Sequence, residues 1–155
     1  MTVRDAASSD AVVKVLGSPG NSVPEASLVA ARAADAKQGS NTVVLAMGEL
    51  LVLTDAFVLT SGRNSRQVHS IVEEVEEVVK AETSRSPVRI EGLKDLTWVL
   101  MDYGDFLVHV FLEETRAFYD IERLWGNALH ISWGGADEQM NAPALSNGEI
   151  IDQGA

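Results

Sequence analysis

Two aspartates, Asp102 and Asp105, stand three residues apart in the run LMDYGD. Close carboxylates can hold divalent ions for phosphoryl transfer, but two-metal chemistry needs both on one face of a strand. The usual spacing is Asp-x-Asp. Here the two acids flank a Tyr103-Gly104 turn, and the preceding segment VRIEG offers only Glu91. The required pair is missing, which disfavours an active transferase. The three histidines, His69, His109 and His130, have no i, i+4 partner, so a zincin-type helix is excluded. No G-x-S-x-G elbow occurs. The stretch Ser61-Gly62-Arg63-Asn64-Ser65-Arg66 reads as a strand-to-helix turn. Such turns can take phosphate on their amides. This one lacks both glycine-rich phosphate patterns and reads more simply as a helix cap. With no cysteine, thiol catalysis, disulfides and cysteine zinc sites are excluded. No cofactor is expected.

These residues sit in a chain of 155 residues, 46% hydrophobic, with a formal net charge of −11. The length fits one domain with a real core. The charge repels phosphate backbones, so little direct nucleic-acid contact is expected. An acidic surface suits a basic protein partner better. No apolar run approaches the ~18 residues of a membrane span, and the first residues lack a signal-like apolar stretch. A cytoplasmic protein with no membrane contact is the expectation.

The elements follow from periodicity. Residues 1–22 and 134–155 are small, polar and broken by Gly and Pro, and read as flexible tails around a domain at 23–133. Within it a helix is predicted from Pro24 to Gln38, then a strand from Thr42 to Met47 and, after a Gly48-Glu49 turn, a second strand from Leu50 to Thr60. A helix from Asn64 or Ser65 to Glu82 carries Val68, Ile71, Val72, Val75, Val78 and Val79 on one stripe. Glu73, Glu74, Glu76 and Glu77 mostly lie off it, as a solvated face. VRIEG (88–92) and two strands within Thr97–Leu112 follow, then a helix from Glu113 to Gly126 and a possible last strand at Ala128–Ser132. This order implies an α/β fold: one domain with a mixed five-stranded sheet flanked by helices.

With Tyr103-Gly104 as a two-residue turn, Asp102 faces Asp105, Leu100 faces Leu107 and Trp98 faces His109. Alternation puts Val99, Met101, Phe106, Val108 and Val110 on one face. Trp98, Leu100, Asp102, Asp105, Leu107, His109 and Phe111 take the other. Two like charges opposed at a turn are unfavourable. Either they receive a cationic partner or they are turn carboxylates bonding backbone N–H groups. The Trp98 face is either a partly open binding surface or is covered by the last helix.

From Asp55 to Trp125 the residues resemble the RsfS/Iojap family. The shared positions are Thr54, Asp55, Phe57, Val58, Leu59, Ser61 and Gly62, then Ser65, Arg66, Gln67 and Val68. Trp98, Asp102, Gly104, Asp105, Val108 and His109 follow, then Arg116, Phe118, Tyr119, Glu122, Leu124 and Trp125. The resemblance implies a fold similar to nucleotidyltransferases without their catalytic carboxylates. It implies a non-enzymatic silencing factor that binds the large ribosomal subunit through ribosomal protein L-fourteen. Bound there, it would block joining of the small subunit and repress translation when nutrients are limiting, and it would form a homodimer when free. On this view Trp98 is the apolar anchor, Asp102 and Asp105 meet cationic groups, and Tyr103 and Gly104 form the contacting turn. Leu100, Leu107 and His109 share the Trp98 face. Two other readings are a large-subunit assembly scaffold and a residual nucleotide-binding protein.

Overall fold

The computed structural model describes residues 12–15 and 18–134. The C-terminal tail from residue 135 onward and residues 1–11 lie outside the described residues. Strands β1 (Val12–Val15) and β2 (Ser18–Pro24) pair antiparallel as a separate two-stranded ladder. Regular pairing thus reaches into the stretch expected to be a tail.

Helix α1 (Glu25–Ala36) starts immediately after Pro24, whose fixed φ suits a helix entry. Its alanines Ala26, Ala30, Ala31, Ala33 and Ala34 are buried. Small side chains let this helix lie close to its neighbours. Gly39 N–H donates to Ala34 O and closes it. β3 (Ser40–Ala46) and β4 (Ala56–Gly62) then pair antiparallel. Helix α2 (Ser65–Thr83) is capped by the Asn64 side chain, which accepts from Gln67 N–H at 2.9 Å. Val68, Ile71, Val72, Val75 and Val79 are buried along one stripe. Full burial of each contributes roughly 1.5–3 kcal/mol. β5 (Arg89–Glu91), β6 (Trp98–Asp102) and β7 (Phe106–Leu112) follow. Two short helices, α3 (Glu113–Tyr119) and α4 (Ile121–Leu124), lead to β8 (Leu129–His130).

The main sheet has six strands in the order β5-β6-β7-β4-β3-β8, not the five expected, because β8 does pair with β3. The β4–β7 pairing is parallel and the rest are antiparallel. Both long helices lie on one face, where Val58, Val99, Met101, Val108 and Val110 meet them. On the other face Leu45, Met47, Phe57, Leu59 and Phe111 form a smaller core. β4 is buried at every residue, as a strand flanked and covered on both sides must be.

Three further expectations change. The strand predicted from Leu50 begins only at Ala56. Leu50 N–H and Leu51 N–H both fold back onto Met47 O, and Val52 and Leu53 are 97% and 88% exposed. An aliphatic run looks the same in a buried strand and an exposed loop until its partners are known. The helix predicted from Glu113 to Gly126 is broken at Asp120, which takes a left-handed conformation at φ 48°. Aspartate tolerates this better than most residues.

The third change is the β6–β7 register. Leu100 faces His109, Trp98 faces Phe111 and Asp102 faces Leu107. The central turn residues are therefore Gly104 and Asp105. Gly104 has φ +95°. A II′ hairpin turn needs positive φ only at its first central position, where this glycine sits. The expected turn placed Tyr103 there, and a tyrosine at positive φ is strained. The slip is two residues, so both strands keep their faces.

Candidate protein-binding face

The pairings place three rows across the sheet face opposite the long helices. Arg89, Asp102, Leu107, Phe57 and Leu45 form one row, and Glu91, Leu100, His109, Leu59 and Val43 the next. Trp98, Phe111 and Ser61 form the third. Over β4 and β3 this face is covered: Ile121, Trp125 and Ala128 pack on it, and Trp125 meets Phe57 edge-on at 6.0 Å. Over β6 and β7 the cover thins. Trp98, Leu100 and Leu107 are only half-buried. The face is therefore covered over β4 and β3 and part-open over β6 and β7.

The cover is fastened by Arg116. This buried guanidinium donates to both oxygens of Glu122, at 3.1 and 2.7 Å, to Ser61 Oγ at 2.7 Å and to Ser40 O at 3.2 Å. It ties α3 and the start of α4 to the ends of β3 and β4.

Trp98 is held on several sides. Its indole Nε1–H donates to His109 Nδ1 at 3.1 Å, and its ring lies 5.0 Å from Phe111 and 5.1 Å from Tyr119. His109 is buried and packs edge-on against Phe57 at 4.7 Å. Burial pushes its pKa down to about 4, so the imidazole is neutral near pH 7. Because Nδ1 accepts, the ring proton is on Nε2, which is buried without a partner.

At the rim, Asp105 pairs with Arg85 at 2.6 Å, and the same guanidinium donates to Tyr103 O at 2.8 Å. Asp102 accepts Gly104 N–H at 2.8 Å and lies 3.5 Å from Arg89. The two carboxylates thus do not oppose each other, and each has an arginine of its own. Asp55 is exposed, and partial burial together with the Asp105 charge raises its pKa. Thr54 Oγ1 and Asp55 N–H both donate to Asp105 O, pinning the β3–β4 connection to the β6–β7 turn. Among the described residues no three carboxylates or histidines converge as a metal site.

The eight residues named from the sequence therefore divide. Trp98, Leu100, Asp102, Gly104, Asp105 and Leu107 reach the surface on this face or its rim. Tyr103 does not. It is buried on the helix side, stacked on Phe106 at 4.6 Å, because the register shift makes it the strand residue opposite Phe106. His109 is on the expected face but under Trp98, out of a partner's reach. Sequence reading missed Val52, Leu53, Phe118 and Leu124, which are exposed apolar groups. Phe118 and Tyr119 line a groove of about 470 Å³ with Trp98, Thr97, Glu114 and Thr115. An exposed phenylalanine in a short amphipathic helix has no strong sequence signal. Only its place in the family pattern could have flagged it.

The model of a family described as "Ribosomal silencing factor during starvation" matches residues 20–150. A ribosomal silencing factor RsfS from Halalkalibacterium halodurans is 37% identical over 100 residues, covering 64% of this chain and 85% of that one. A mouse protein named for mitochondrial assembly of the ribosomal large subunit is 38% identical over 74 residues, covering 46% of this chain and 32% of its own length. A crystal structure of a Chromobacterium violaceum protein superposes with a TM-score of 0.63 at 32% identity, covering 74% of this chain and 96% of that one.

Proposed function

The chain belongs to the ribosomal silencing factor family, and from that premise we propose that it acts by binding the large ribosomal subunit and blocking its association with the small one. The partner in this reading is the basic ribosomal protein L-fourteen, and the action is repression of translation in a cytoplasmic setting, without catalysis. A homodimer of the free chain is part of the same proposal. The observation that carries it is the half-open Trp98 face with carboxylates at its rim. Half-buried Trp98, Leu100 and Leu107 would supply apolar contact. Asp102 and Asp105 would exchange partly exposed arginines for a partner's cations. That exchange costs little, because exposed ion pairs contribute only about 0–1 kcal/mol.

The test is co-sedimentation of the full chain with purified large subunits, followed by subunit joining. Trp98→Ala is expected to weaken binding by about 2 kcal/mol, a hot-spot loss, and to relieve the block. Unchanged sedimentation with an intact circular dichroism spectrum would refute the Trp98 face. The mouse relative's name favours a second reading, an assembly role on the large subunit. In that case the chain would bind, yet subunit joining would proceed unhindered.

A further inference from the structure

Several cations of this acidic chain are neutralised where they stand. Arg32, Arg85, Arg89, Arg116 and Arg123 each pair with a carboxylate. Lys37, Arg63, Arg66, Lys80 and Lys94 have no carboxylate within ion-pair distance among the described residues. Three of these five line one groove of about 380 Å³, where the end of α1 meets the start of α2. Its walls carry Lys37, Arg63 and Arg66 with Gln38, Asn64 and Gln67 and, among the described residues, no acid. A comparable groove along α2 is the opposite: Lys80 stands there among Glu73, Glu76 and Glu77. The three grouped cations are all exposed.

Part of the groove's backbone capacity for a single phosphate is already taken. Arg63 N–H already donates to Gln67 Oε1 at 2.7 Å, and Gln67 N–H donates to Asn64 Oδ1 at 2.9 Å. Gln67 Nε2 in turn donates to Lys37 O and Gln38 O, at 3.1 and 3.0 Å. The backbone donors at Arg63 and Gln67 are thus spent on capping α2, and the Gln67 amide fastens the end of α1 to it. The groove's positive charge stands on long side-chain stems, spread along an open surface. That matches a polyanion with repeated, spaced charges.

We infer that the Lys37–Arg63–Arg66 groove is a contact for the phosphodiester backbone of ribosomal RNA, separate from the Trp98 face. The inference rests on the large subunit being the partner. The net charge of −11 opposes a broad RNA interface, but a local row of three unpaired cations needs only a few phosphates. Long-range repulsion is screened within about 8 Å at physiological salt.

The experiment measures affinity for large subunits across a salt series. Each phosphate contact adds about 0.7–0.9 to the slope of log affinity against log salt. Replacing Lys37, Arg63 and Arg66 together by Ala is expected to flatten the slope by about 2–3. It is also expected to remove hydroxyl-radical protection of a short stretch of ribosomal RNA. A Lys80→Ala, Lys94→Ala double variant should leave both unchanged, and Trp98→Ala should lower affinity at an unchanged slope. An unaltered slope in the triple variant overturns the inference, as does an equal change in the Lys80/Lys94 control. A flattened slope with RNA protection intact points to an acidic protein in the groove and also overturns it. If the unmutated chain does not bind subunits, the proposed function fails instead. The groove is then tested on a labelled RNA hairpin, where equal slopes for the two forms would sink it.

Discussion

The indole N–H of Trp98 donates to Nδ1 of His109 across 3.1 Å, tying a half-buried ring to a buried imidazole directly beneath the open face. Indole has one donor and no acceptor. With that donor turned inward, Trp98 can offer a partner only carbon and ring surface. His109 thus serves the face by orienting the anchor, and its own Nε2–H is left unpaired in the core. An unsatisfied buried donor costs about 1–3 kcal/mol.

The neutral state of His109 makes stability depend on pH. The unfolded histidine takes up its proton near pH 6.5, whereas the folded one resists until about pH 4. Between these values the unfolded chain binds more protons, so stability rises with pH. The contribution, about 3 kcal/mol, is full above pH 6.5 and is lost as pH falls through about 4. Urea unfolding at stepped pH checks this. His109→Leu should flatten the dependence in that window, and an unchanged profile would show that another group sets it.

Arg116 is the fastening of the aromatic cover. Arg116→Leu strands Ser61 Oγ and leaves Glu122 without its bidentate partner. Breaking a buried pair costs roughly 3–5 kcal/mol, and the part-exposed Glu122 puts this case near the lower end. Trp125 should become more solvent-exposed, which its fluorescence would report. A variant with wild-type stability and unshifted emission would mean that packing alone holds α3 and α4.

The β6–β7 turn separates a backbone requirement from a charge contact. Gly104→Ala should cost about 1–2 kcal/mol, because φ +95° is hostile to a Cβ. Arg85→Ala should cost under about 1 kcal/mol, because its pair with Asp105 is partly exposed. Denaturation midpoints of the two variants decide it, and the reverse order would contradict the turn geometry.

The long helices were legible because their apolar spacing is a local signal: the α2 stripe from Val68 to Val79 is buried as its period requires. The strand faces were legible too, since alternation survives a two-residue slip. The slip itself was not. It depends on which central position the positive-φ glycine takes, and LMDYGDF permits either register on hydrophobic pattern alone. Leu50–Leu53 misled for a related reason, because composition says nothing of whether a neighbouring strand is present. The placement of Tyr103 and His109 inside, and of Phe118 outside, depends on contacts between residues far apart in the chain. The cation groove was invisible as a unit. Lys37 and Arg66 share a groove only because α1 and α2 pack side by side, with the end of one beside the start of the other, and net charge averages them away.

The two borders of the sheet bear on how the chain stays dispersed. β5 spans three residues, with exposed Arg89 and Glu91 facing outward, and β8 spans two. Borders this short, the β5 one also charged, give an unpaired strand from another molecule little to zip onto. The chain can therefore keep a greasy surface accessible without offering the backbone template on which amyloid-like stacking begins.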